Sequence, residues 1–142
     1  MSKMKKNSVT LSIPSRTEYL TAVRNFVNNL MVEVGWNAEQ SAELEIALYE
    51  VLMNVVEHAY KMSPDNEVNI AIEFNKDEVV IEVEDKGQPF DSTTISVPND
   101  ADGARKKQMI GKYLIKAFTD RIEYKNSTKG GNILRIVKVR RP

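Results

Sequence analysis

The sequence predicts an α/β fold: a two-layer sandwich whose mixed, mostly antiparallel sheet is covered on one face by three helices. Three observations carry this. Short runs alternate apolar with polar residues, the period of strands that bury one face and wet the other. Three longer segments space their apolar residues at helical intervals, as amphipathic helices do. The two kinds of segment follow one another as β-α-α-β-β-α-β-β, an order that packs helices against a sheet.

Each element has its own signal. Val9, Leu11 and Ile13 alternate with Thr10 and Ser12, and Pro14 ends that strand. Ser15 and Glu18 have capping-box spacing, and a helix follows from about Arg16 to Val34 with Gly35 as its stop. Asn37 and Gln40 repeat the capping spacing and open the helix around which the chain is organised, AELEIALYEVLMNVVEHAY, which runs on to about Lys61. Ser63 to Asp65 form a turn. Val68 to Phe74 and Val79 to Glu84 alternate as strands around a short Asn75–Asp77 loop. Periodicity then vanishes from Lys86 to about Lys107, and a loop that long inside a compact domain is usually functional. A third helix is expected from Gln108 to Thr119, with Ile110, Leu114, Ile115 and Phe118 on its apolar side. Two strands, Arg121–Lys125 and Asn132–Arg140, flank a turn holding Gly130 and Gly131. No linker or repeat divides residues 1–142, so a single domain is expected.

Composition narrows the function. Of 142 residues, 42% are apolar, enough for one proper core. Twenty basic and twenty acidic residues cancel, so direct nucleic-acid binding is not expected and an anion site must be local; no apolar run approaches membrane-spanning length, so no membrane partner is expected. The absence of cysteine excludes disulfides and thiol chemistry and fits a cytoplasmic protein. One histidine, His58, excludes a multi-histidine metal site. The basic start MSKMKKNS lacks the apolar core of a signal peptide.

Three places carry possible chemistry. On the organising helix, Leu44, Leu48, Val51, Leu52, Val55 and Val56 form an apolar face at about 100° per residue. Glu43, Glu50, Asn54, Glu57 and Lys61 form a stripe opposite. That stripe is either the solvated side of the helix or a ligand surface. Glu50 and Asn54, one turn apart and edged by Ile46 and Met53, offer a carboxylate beside a carboxamide. Asp85 continues the inward phase of Val79, Ile81 and Val83 and needs a hydrogen-bonding partner there. It either caps a turn or accepts from a ligand amino group, and Gly87 beside it permits close approach. Arg105, Lys106 and Lys107, after Gly103, precede the expected third helix, where they form either a solvated turn or an anion site at the helix N-terminus.

Taken together, Glu50-x-x-x-Asn54-x-x-x-His58-Ala59-Tyr60, Asp85-x-Gly87-x-Pro89-Phe90-Asp91 and Ile110-Gly111-x-x-Leu114-Ile115 resemble the GHKL (histidine-kinase-like, Bergerat-fold) ATPases. Within that superfamily the wording VEHAY, GxPFD and TDRIEYKN…GGN is most similar to bacterial anti-sigma factor serine kinases. The resemblance implies ATP and Mg²⁺ as cofactors. It makes Glu50 the general base, Asn54 the Mg²⁺ ligand and Asp85 the acceptor for the adenine amino group, with Gly87 beside it. It places Gly103 in the ATP lid and Gly111 where the lid joins the third helix, and it gives His58 no catalytic role. It implies a serine/threonine kinase that phosphorylates a small anti-anti-sigma-type antagonist and sequesters a sigma factor, thereby regulating transcription, with a possible homodimer. At one point the chain departs from the family. Gln108 and Met109 stand where a glycine pair usually closes on the phosphates, with Lys106, Lys107 and Lys112 as partial compensation by charge. The alternative is therefore a regulatory protein-binding module of the same fold with weakened or lost ATP binding. A detached histidine-kinase catalytic domain fits less well, because the one histidine lies in the ATP helix.

Overall fold

The structure is a computed structural model. It describes residues 7–88, 103–126 and 130–142, of which 103–109 by backbone alone. The elements are β1 (Ser8–Pro14), α1 (Thr17–Glu33), α2 (Ala38–Asn54) continued by a π-helical turn (Val55–Ala59), β2 (Glu67–Phe74), β3 (Glu78–Asp85), α3 (Gly103–Ala117), β4 (Arg121–Asn126) and β5 (Asn132–Val139). The five strands form one sheet in the order β1-β2-β3-β5-β4. Among the described residues every neighbouring pair is antiparallel, so the expected sandwich is present and the sheet has no parallel pair there. β3 and β4 do run parallel to each other, with α3 as their crossover, and β5 fills the gap between them.

The alternation pays out as expected on the helix side of the sheet. Val68, Ile70 and Ile72 of β2, Val79, Ile81 and Val83 of β3, and Ile136 of β5 are buried. They meet Leu44, Leu48, Val51 and Leu52 of α2 and Leu20, Val27 and Met31 of α1. On the other face, which alternation assigns to water, Val80 and its register partner Val137 are also buried.

The ends of α1 and α2 are chemically set. Gly35 takes φ +99°. Its N–H donates to the Val32 carbonyl and that of Trp36 to Met31, a Schellman stop that buries the indole. Asn37 caps α2 by accepting from the Gln40 N–H at 2.7 Å. Gln40 reaches back to the Asn37 side chain, accepting from its Nδ2 at 3.4 Å, and not to the backbone N–H that would close the box. Its buried amide donates to Val139 and accepts from the Arg141 N–H, tying α2 to β5. The expected box at Ser15 does not form, for Arg16 is the N-cap residue and has no side-chain cap. The Ser15 hydroxyl is instead committed across the fold, donating to the Ser63 carbonyl and accepting from the Asn66 N–H.

Two further expectations change. α3 begins at Gly103, five residues earlier than its apolar spacing suggested. Ile110, assigned to its buried side, is 59% exposed, and Ile115 is the buried anchor. The polar stripe of α2 is not a free surface either. Glu43 pairs at 3.2 Å with the buried Lys138 of β5, whose ammonium also donates to the Phe118 carbonyl at the end of α3.

Candidate functional site

Asp85 closes β3 opposite Asn132, the first residue of β5. It is 3% exposed. Its Oδ1 accepts from the Gly87 N–H at 2.8 Å and from Asn132 Nδ2 at 2.9 Å. Among the described residues neither bond falls on Oδ2. The turn-capping role and the inward orientation read from sequence are therefore both present in one side chain. Burial pushes the Asp85 carboxyl above its ordinary range, and nearby Glu84 adds to this. The bonds from Asn132 and Gly87 hold it back.

A cavity of about 40 Å³ opens beside this carboxylate, room for about three waters. Val51, Val55, Val83 and Leu134 wall it, and Asn54, Asp85, Tyr124 and Asn132 supply its polar groups. The organising helix and the strand end thus bring Asn54 and Asp85 to one cavity, as their placement on α2 and β3 requires. Apolar walls around a few polar groups suit the edge of a flat heteroaromatic ring. A group as large as a triphosphate has to lie outside the cavity.

Glu50 does not line the cavity. It lies one turn earlier on α2, facing α3. A Cβ built on Gly111 would stand 2.5 Å from Glu50 Oε2, so the glycine is what lets α3 approach this carboxylate. Gly111 lies about two turns inside α3, not at a junction with it. Gly103 is the first residue of α3. Arg105, Lys106 and Lys107 fall within its first turns instead of before them, and their side chains, with those of Gln108 and Met109, lie outside the described residues. So do Pro89, Phe90 and Asp91. The close approach at Gly87 is to the protein itself, because a Cβ there would overlap the Ala59 carbonyl.

Sequence reasoning missed Asn132, Tyr124 and Tyr60. Asn132 Nδ2 donates to Asp85 and to the Gln88 carbonyl, and the Tyr124 hydroxyl donates to Asn132 Oδ1. The signal was present in Gly130-Gly131-Asn132. Gly131 has φ +98° and lies so close to the Asp85 carbonyl that any Cβ would overlap it. The glycine therefore delivers the asparagine against the aspartate. No group of three or more His, Asp or Glu side chains suited to a metal occurs among the described residues. Mg²⁺ bound with few protein ligands is common when substrate phosphates supply the others, and the amide oxygen of Asn54 fits that mode. No helix among the described residues is long and apolar enough to cross a membrane.

A helix and a strand end thus close on a small apolar-walled pocket with a carboxylate floor. The chain belongs to the histidine kinase-like ATPase domain family, whose model matches residues 13–138. Among curated relatives, the serine-protein kinase RsbW of Listeria innocua is 29% identical over 75% of this chain and 61% of its own. The chain thus spans about three fifths of that relative. RsbW of Bacillus subtilis is 25% identical over 87% of this chain and 82% of its own. A crystal structure of RsbU and RsbW domains from Mycobacterium tuberculosis shares the fold, with TM-score 0.68 and 17% identity over 96% of this chain and 34% of that one. The resemblance to GHKL proteins of the anti-sigma factor kinase type, read from the motifs, holds.

Proposed function

We propose that the protein is an ATP-dependent serine kinase of the anti-sigma factor type. The observation that supports this most is the meeting of Asn54 and Asp85 at one apolar-walled cavity, with the bonds to Asp85 from Gly87 and Asn132 both falling on Oδ1. Oδ2 is then the acceptor for the adenine amino group. Asn54 would hold Mg²⁺, and the ion would supply neutralisation of charge on the triphosphate. Glu50 takes the proton of the attacking serine hydroxyl. The new bond joins the serine oxygen to the γ-phosphorus as the bond to the β-phosphate oxygen breaks, leaving ADP. The serine belongs to a small antagonist protein, and the unphosphorylated antagonist competes with a sigma factor for this kinase, which acts in the cytoplasm.

A second reading rests on α3. Gly111 is embedded in a helix that starts at Gly103, so its N–H is engaged within the helix and unavailable to phosphate. On that reading the domain binds partners without useful catalysis. Calorimetric titration of ATP, with and without Mg²⁺, into the wild type and Asp85→Asn separates the two. Magnesium-dependent binding that is lost in the variant supports the kinase, and Glu50→Ala is then expected to bind ATP but not transfer phosphate. No binding to the wild type refutes the kinase and leaves the binding module.

A further inference from the structure

The end of β3 is held by a residue that no role has been given. β2 and β3 pair in register up to Val68 opposite Asp85. The next rung would join the Lys86 N–H to the Glu67 carbonyl. The buried hydroxyl of Tyr60 stands in its place, accepting from Lys86 N at 2.7 Å and donating to Glu67 O at 2.6 Å. The ladder therefore stops at Asp85, and the chain is released to turn toward α2. The following residues are then fastened one by one. The Gly87 N–H donates to Asp85, the Gln88 N–H to the Ala59 carbonyl at 2.9 Å, and the Gln88 carbonyl accepts from Asn132 Nδ2 at 2.8 Å. Ala59 belongs to the π-helical turn that directly follows Asn54. The ring of Tyr60 is thus a spacer between the helix that carries Asn54 and the strand that carries Asp85.

We infer that Tyr60 is a positioning residue that fixes Asp85 at the strand end and sets its distance from Asn54. This rests on the nucleotide reading of the site. Tyr60→Phe keeps the ring in the core and removes the spacer atom. Lys86 N and Glu67 O are then free to bond directly and extend the ladder by one rung. That repairs the lost hydrogen bonds while drawing Asp85 and Gly87 away from α2. Stability and ligand binding therefore separate, which a purely structural hydroxyl would not do.

The test compares wild type and Tyr60→Phe by three measurements: thermal melting without ligand, hydrogen exchange of the backbone amides of residues 86–88, and calorimetry with Mg·ATP and with Mg·tripolyphosphate. A melting temperature within a few degrees of wild type is expected, with faster exchange at Gly87 and Gln88. ATP affinity is expected to fall about tenfold, equivalent to roughly 1.4 kcal/mol, while tripolyphosphate binding changes less than about twofold. Equal losses for both ligands, or ATP binding and exchange unchanged, would overturn the assignment. A wild type that binds no ATP would remove the nucleotide reading with it. Slow exchange at Gly87 and Gln88 that Tyr60→Phe abolishes would then still establish the anchor, and its absence would refute that as well.

Discussion

Asparagine at position 85 would keep the shape of aspartate and change what it offers. Its amide oxygen can take the bonds from Gly87 N and Asn132 Nδ2 that Oδ1 accepts now, which turns its NH₂ toward the cavity, a donor where the carboxylate is an acceptor. Two donors facing each other in a buried site cost about 1–3 kcal/mol. Asp85→Asn should therefore weaken ATP binding by roughly 10- to 100-fold, measured by calorimetry, without unfolding the protein. The pH dependence of stability has a definite sign. The folded state holds the Asp85 proton more tightly than the unfolded chain does, because burial raises its pKa above 3.8. Stability from this group is full below that pH and is lost as pH rises through the elevated value. Melting curves of wild type and Asp85→Asn should diverge over that interval in favour of the variant; parallel curves would contradict the burial cost. Two glycines give a graded comparison. A methyl at Gly87 meets the backbone carbonyl of Ala59, which has no freedom to move, whereas one at Gly111 meets the flexible end of Glu50. Gly87→Ala should destabilise by about 3 kcal/mol and Gly111→Ala by about 1 kcal/mol, read from denaturant titrations.

At the level of elements, α2 is tied to β5 by Gln40 at its start and by Glu43 one turn on. Lys138 is almost wholly buried, so Glu43→Ala removes the carboxylate beside its ammonium and leaves it the neutral Phe118 carbonyl. A loss of roughly 3 kcal/mol is expected, much above the value of an exposed pair such as Arg16–Asp65; urea unfolding of both alanine variants checks the contrast. The helices and strands were legible wherever apolar spacing was continuous, and the stops at Pro14 and Gly35 were legible from backbone chemistry alone. Gly103–Lys107 contains one apolar residue, so periodicity could not reveal that α3 starts there. The π-helical turn was equally hidden, because Val51, Leu52, Val55, Val56 and Ala59 keep helical spacing through it. Asn54 and Asp85 were visible because each is unusual on its own element, a carboxamide in mid-helix and an inward carboxylate, and Glu50 was visible through the family resemblance. Asn132 and Tyr60 were not, because what gives them meaning is the strand across from them.

Across the whole molecule, that strand arrangement is the part no local pattern encodes. β5 follows β4 in sequence but is threaded between β4 and β3, and it brings Asn132 to Asp85 from 47 residues away. The central β3 has one long edge unpaired until β5 arrives. A growing polypeptide emerging from the ribosome therefore holds β1, α1, α2, β2 and β3 before anything can shield that edge. Exposed strand edges invite pairing with other chains. The nascent protein is accordingly more exposed to aggregation before β5 is made, and the cavity beside Asp85 gains Asn132 and Leu134 only when β5 docks.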